Sequence, residues 1–366
     1  MRVLLLSGAS SIHTIRWANG LAGAGLQVHV ITQQQPCDQF DAGVVVHQFA
    51  YRGNLGYFLM VPAVRKLLRQ IKPDLVNAHY ASGYGTTARL VNYRPYLLSV
   101  WGSDVYDFPH KSALHSFLIG KNLLAADKVA STSYCMAEET LKLVPELRDI
   151  AITPFGVDMQ QYQSAEPAES HGSRAIVIGT VKTMAPKYGI STLLQAFALL
   201  RNKCLEDAPD VGERLQLRLV GGGPQMQVLK ALSVTLGVDS CTEFVGRVQH
   251  EKVPEELSKL DIYVALSELD SESFGVAIIE AGAAARPVVV SNVGGLPEVT
   301  VDGVTGIVVP KNNPAAAAEA IERLVLNPEL RIRMGLAGRQ HVAENYSWTA
   351  SIQQMISVYE SMIERK

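Results

Sequence analysis

Short apolar runs alternate with helical segments along this chain, and the alternation occurs twice. RVLLLSG is followed by the glycine-closed segment TIRWANGLAGAG and then LQVHVITQ; the amphipathic VPAVRKLLRQIKP leads to DLVNAH and YLLSVWG. The pattern restarts at AIVIGTV, ISTLLQAFALLRN, LQLRLVGGG, MQVLKALSVTLG and TEFVGRV, and continues through LDIYVALS, ARPVVVSN and PAAAAEAIERLVLN. Apolar strands without polar alternation are buried on both faces, which calls for a parallel sheet covered by helices on each side. With 366 residues the chain exceeds one ordinary core. The polar stretch QQYQSAEPAESHGS, residues 160–173, has no period and reads as a linker. The expected fold is α/β: two Rossmann-like, doubly wound parallel-sheet domains, 1–160 and 174–345, facing a central cleft. The amphipathic segment 346–366 follows the completed second domain and is free to pack back on the first.

Composition narrows the function classes. The net charge of −2 combines 14 Lys/Arg against 11 Asp/Glu in residues 1–165 with 19 against 24 in the remainder. Neither half has the basic stripe that nucleic acid demands, so no nucleic-acid partner is expected. Cys37, Cys135, Cys204 and Cys241 form no CxxC pair, which argues for a reducing compartment and against structural zinc. Val3-Leu4-Leu5-Leu6 is too short for a signal sequence or a membrane span. A cytoplasmic location is expected.

In open parallel sheets ligands bind beyond the carboxyl ends of the strands. Three strand-to-helix loops of the second half stand out there. GTVKTMAPKYG carries Lys182 and Lys187, GGGP centres on Gly222, and SELDSESFG opens a helix. Lysines, a glycine turn and a helix N-terminus aimed at one place suit a diphosphate, because amides and dipole add to the full charges. Within ESFGVAIIEAGAAARPVVV, Glu280 is the one charge between Ser273 and Ala285, a costly place for an unpaired carboxylate. Taken singly, the lysines read as solvated, GGGP as a tight turn, Glu272 as a first-turn acid and Glu280 as a partner of a buried arginine. Their joint occurrence favours a site.

Glu272 and Glu280 have the E-x7-E spacing; with VKTMAPKYG, LVGGGP, FVGRV and VGGLPEVTVDGVTGIVVP, the chain resembles the retaining GT-B glycosyltransferases of family 4. The resemblance implies that Glu280 binds the ribose hydroxyls of a nucleotide sugar. Glu272, Phe274, Gly275 and Val276 would hold the transferred sugar, Lys182 and Lys187 the diphosphate, and Arg247 and Val248 would line the base pocket. Lys182 stands where the family usually has arginine, which keeps the charge and loses the planar fork. In LLSVWGSDVYDFP, Trp101 occupies the place of a usual histidine while Gly102 and Asp104 remain. His79, Asp104 or His13 would share the missing role; His79 reads equally as a packing residue, and His13 as a helix N-terminal one. His13 and Trp101 are placed on the acceptor side.

The implied reaction is metal-independent transfer of a hexose-type sugar from a nucleoside diphosphate, UDP ahead of GDP, to an acceptor hydroxyl with retention. No cofactor is expected. The acids of ELDSE read as a solvated loop rather than a metal site. The acceptor is expected to be a saccharide or lipid-linked saccharide of surface polysaccharide, lipopolysaccharide or glycolipid synthesis. Competing readings are an epimerase or phosphorylase, or a non-catalytic nucleotide-sugar sensor. Finally, Tyr57, Phe58, Leu59 and Met60 precede a helix with Arg65, Lys66, Arg69 and Lys72, either a peripheral contact with the inner membrane face or an ordinary domain helix.

Overall fold

A computed structural model describes residues 1–147, 149–162 and 174–364. From residue 163 onward the expected linker lies outside the described residues. The chain forms two compact units, one of Met1–Phe155 with Trp348–Lys366, the other of Gly156–Ser347.

The first unit holds a seven-stranded sheet of β1 (Arg2–Leu6), β2 (Gln27–Thr32), β3 (Val44–Gln48), β4 (Leu75–His79), β5 (Tyr96–Val100), β6 (Lys128–Ser131) and β7 (Ile150–Ile152) in the order β3-β2-β1-β4-β5-β6-β7. Every pairing is parallel. β4 and β5 are buried along their whole length, as apolar runs without alternation require. β3, β6 and β7 escaped the sequence reading. They are edge or near-edge strands, short or partly solvated, and their patterns are correspondingly weak.

The segment Trp348–Ile363 is a helix of this first unit. Gly20 permits its close packing on the helix Ile12–Gly23, because a Cβ there would stand 2.6 Å from Ile352 Cδ1. Trp17 and Trp348 meet with ring centroids 5.3 Å apart. Farther along, the buried Tyr359 hydroxyl accepts from Asn77 Nδ2 at 2.9 Å, fastening the helix to the middle of β4.

The second unit repeats the arrangement with β8 (Ile176–Val181), β9 (Leu215–Val220), β10 (Thr242–Gly246), β11 (Ile262–Ala265), β12 (Val288–Ser291) and β13 (Gly306–Val309). Their order is β10-β9-β8-β11-β12-β13, again all parallel. Small residues in EAGAAAR have a packing cause. A Cβ on Gly282 would stand 2.9 Å from Val342 Cγ2 of the helix Pro328–Asn345, so the two helices approach at backbone distance. Each sheet reverses its winding once, between β1 and β4 and between β8 and β11. At such a switch point the two flanking strand-to-helix loops diverge and leave a crevice at the carboxyl ends.

Candidate active site

In the second unit the switch point brings together the loop after β8, with Lys182 and Lys187, and the loop after β11, with Glu272. Lys182 Nζ lies 2.6 Å from Glu272 Oε1, with the two side chains 15% and 10% exposed. Burial works against the ammonium charge. The Glu272 carboxylate outweighs it through its charge and its hydrogen bond, holding the Lys182 pKa above the ordinary lysine value. Both lysines also face one ring: Lys182 Nζ is 4.7 Å and Lys187 Nζ 4.8 Å from the centroid of Tyr188. An aromatic ring close to both ammonium groups offsets part of their repulsion. The site thus holds two fixed cations at one strand end.

Tyr263, fully buried in β11, joins the two glutamates to this cluster. Burial raises its pKa, Lys182 opposes the rise, and the charges of Glu280 and Glu272 reinforce it. Lys182, Glu272 and Glu280 therefore all bear electrostatically on this phenol, whose hydroxyl donates to Val181 O at 3.4 Å. Glu280 itself is 8% exposed on the helix Val276–Ala283. No side chain caps the start of that helix at Gly275, which has φ +95°. Phe274 is buried against Tyr346, with centroids 5.8 Å apart.

Glycines let these loops interlock. Gly221 has φ +138°, and a Cβ there would collide with the Lys182 carbonyl. Met184 N donates to Gly222 O at 3.0 Å and Gly221 N to Gly246 O at 2.8 Å, which zips together the loops after β8, β9 and β10. A Cβ on Gly222 would lie 3.5 Å from that of Arg247, so the glycine turn and FVGRV are neighbours, with Arg247 exposed and Val248 half-buried. Glu268 N donates to Lys187 O at 2.8 Å, and Gly295 N to Glu272 O at 3.0 Å. The acids of ELDSE diverge: Glu268 accepts from Thr192 at 3.4 Å, Asp270 faces Lys311 at 3.7 Å, and Glu272 faces Lys182. Among the described residues no group of three or more His, Cys, Asp or Glu is placed to hold a metal.

In the first unit, the acceptor-side residues named from sequence gather around Trp101. The His79 ring lies 4.1 Å from the Trp101 ring, Tyr80 5.4 Å and His13 6.3 Å, centroid to centroid, and Phe155 closes the group at 4.4 Å from His13. His79 Nδ1 meets Ser7 Oγ at 2.8 Å, and Ser7 Oγ meets Thr14 Oγ1 at 2.7 Å. Burial pushes the His79 pKa down to about 3, so the imidazole is neutral at pH 7 and a weak base. The sequence makes Asp104 a catalytic candidate. Its two oxygens instead accept from backbone amides, Ala81 N at 2.7 Å, Gly102 N at 3.0 Å and Trp101 N at 3.1 Å. Burial raises its pKa against the pull of those amides. Asp104 positions the loop that presents Trp101.

Tyr188, Tyr263, Ser7, Tyr80 and Phe155 were not singled out from sequence. Tyr188 directly follows Lys187 and offered a signal, whereas Tyr263 sits mid-strand in LDIYVALS and reads as core.

Residues 2–133 match the family described as glycosyl transferase 4-like, and residues 163–341 the family described as glycosyl transferases group 1. A GDP-mannose-dependent alpha-(1-6)-phosphatidylinositol monomannoside mannosyltransferase of Mycolicibacterium smegmatis is 30% identical over 207 residues, 53% of this chain and 52% of that protein. The chain spans about half the length of the curated relatives it matches. Among solved structures, sucrose-phosphate synthase from Thermosynechococcus elongatus superposes with a TM-score of 0.82 at 20% identity, over 100% of both chains. Anabaena HepE in complex with UDP and glucose superposes with a TM-score of 0.76 at 17% identity, over 98% of this chain and 99% of that one. These superpositions bear on the fold.

Proposed function

The chain belongs to the glycosyltransferases group 1 family and has its fold of two Rossmann-like domains, GT-B, and we propose that it moves a hexose-type sugar from a nucleoside diphosphate to an acceptor hydroxyl with retention. The observation that carries this reading is the Lys182–Glu272 pair, joined to Lys187 through Tyr188 at the switch point of the second sheet. As the bond from the anomeric carbon to the diphosphate oxygen breaks, negative charge grows on the leaving group. Two ammonium groups fixed beforehand stabilise that charge with little reorganisation. Donor binding draws Lys182 toward the diphosphate and releases Glu272 to accept from the sugar hydroxyls; Glu280 takes the ribose. The acceptor oxygen bonds to the anomeric carbon, and one proton is released. In this scheme no metal is required. His79, neutral and bonded to Ser7, orients the acceptor side rather than carrying a proton.

The test incubates the full chain with UDP and GDP sugars, with and without saccharide acceptors, following nucleoside-diphosphate release and the product's anomeric configuration by NMR. Sugar transfer with retention, undiminished by a chelator, is expected. Epimerised donor or phosphate-dependent turnover would favour the competing enzymes; binding without turnover, a sensor.

We also propose contact with an anionic membrane face, supported by Leu55, Phe58 and Leu59, which are 73%, 45% and 61% exposed beside the exposed Arg65, Lys66, Arg69 and Lys72. The apolar tip differs from the one expected: Met60 is fully buried and Tyr57 packs on Tyr84 at 5.0 Å, while Leu55 joins the exposed set. No helix among the described residues is long and apolar enough to cross a membrane. Sedimentation with anionic vesicles at low salt should fall when the four cations are neutralised; a wild type that stays in the supernatant refutes the contact.

A further inference from the structure

Beyond the carboxyl ends of β2 and β3 the first unit has a hollow of about 510 Å³, within the range of small-molecule sites. Gln33, Gln34, Gln48, Phe49, Tyr51 and Arg52 line it, and its described lining contains no acid. The wall is held in place from behind. Tyr84, 3% exposed, donates to Gln34 Oε1 and accepts from Gln33 N at 3.0 Å. Burial pushes the Tyr84 pKa up to about 12, so the phenol keeps its proton for that bond. Gln34 Nε2 donates to the Tyr57 hydroxyl at 3.3 Å. Phe49 and Tyr51 stand edge to face, with centroids 6.1 Å apart. The Gln33 carboxamide oxygen is buried beside Gly56 and closed to the hollow, so the open polar groups of the lining are led by the exposed Gln48.

We propose that this hollow binds a neutral sugar ring of the acceptor, distinct from the ring whose hydroxyl reacts; this rests on the glycosyl-transfer reading above. A carboxamide both donates and accepts, as a sugar hydroxyl does, and aromatic rings take the apolar face of a pyranose. One exposed arginine without a second cation suits a phosphate poorly, and a wall of amides suits a lipid chain poorly. Position sets the size of the acceptor. In the order β3-β2-β1-β4, three strand spacings separate β3 from β4, on the order of 14 Å, and His79 and its Trp101 cluster stand at the end of β4. An acceptor touching both places is longer than one pyranose ring, so the substrate class is a disaccharide or a longer saccharide.

Saturation-transfer NMR on the full chain, with maltose, cellobiose, lactose and α-1,6-mannobiose as probes, tests this. At least one disaccharide should receive saturation. Its affinity should fall at least fivefold in Gln33→Met, which keeps the side-chain length and removes the amide, and in Gln48→Ala, which alters an exposed side chain. Arg52→Ala should leave it within twofold. Calorimetry with UDP and GDP on the same samples separates the two claims. If a nucleoside diphosphate binds but no disaccharide does, or if both glutamine variants bind the disaccharide as wild type does, the hollow proposal falls and glycosyl transfer stands. Loss of binding in Arg52→Ala, with competition by a sugar phosphate, would overturn the neutral-ligand assignment. Failure of the wild type to bind either nucleoside diphosphate counts against the glycosyl-transfer reading, whatever the hollow binds.

Discussion

Replacing Lys182 by methionine removes one partner of an ion pair whose side chains are only 15% and 10% exposed. Glu272 is then left as a mostly buried carboxylate without its cation. Breaking such a pair costs about 3–5 kcal/mol; the residual exposure places this case near the lower end, about 3 kcal/mol. For a unit of this size each kcal/mol moves the unfolding midpoint by about 2–4 °C, so the second unit should melt about 6–12 °C lower. The double variant Lys182→Met/Glu272→Gln has no stranded charge and should recover most of that loss, since neutral side chains replace a buried pair at little cost. Ligand separates stability from function: a nucleoside diphosphate at a hundred times its dissociation constant stabilises the wild type by about 2.7 kcal/mol. Neither variant should show that shift in full. Differential scanning calorimetry with and without UDP or GDP reads all three quantities, and the transition raised by ligand identifies the second unit. A single variant melting like wild type, or a double variant as unstable as the single, refutes the reasoning.

Three further outcomes are expected. Glu280→Gln keeps the shape and loses the charge; charge-assisted bonds contribute about 1.5–3 kcal/mol, so calorimetric affinity for the nucleoside diphosphate should fall roughly ten- to hundredfold, and unchanged affinity with a much lower melting point would make Glu280 structural. Gly221→Ala, at φ +138° and against the Lys182 carbonyl, should destabilise by about 1–3 kcal/mol and impair nucleotide binding, whereas Gly237→Ala, at φ +68° with open space around it, should cost about 1 kcal/mol and leave binding intact. The third concerns pH. His79 has a folded-state pKa lowered to about 3 from an ordinary 6.5, so the unfolded chain binds the extra proton between those values. The stability this gives the first unit is complete above about pH 6.5 and is lost as pH falls toward 3, by up to about 1.4 kcal/mol per unit. Trp17, Trp101 and Trp348 all lie in the first unit, so tryptophan fluorescence in urea at pH 7, 6, 5 and 4 follows it alone; a His79→Gln variant with the wild-type slope would refute the assignment.

Two doubly wound parallel sheets were legible because burial on both faces writes itself into consecutive residues, as in the wholly buried Val288–Ser291 and Leu75–His79. The loops of the candidate site were legible for a related reason. Glycines where backbones touch and charges at strand ends are local features, and the structure brings Lys182, Lys187 and Glu272 to one switch point. Partner choice across the sheet was not written locally. No spacing in the sequence tells that Tyr263 feels the charges of Lys182, Glu272 and Glu280, because a strand tyrosine reads as core until its surroundings are known. The same limit hid the use of Asp104, whose carboxylate looked free for chemistry until three backbone amides converged on it. It also left open the site where the last helix docks, since an amphipathic face specifies only that it must be buried. Tertiary structure decided that by placing Gly20 opposite Ile352 and Asn77 opposite Tyr359. Periodicity and turn chemistry act over a few residues and can be read along the chain; long-range contacts depend on which surfaces folding brings together.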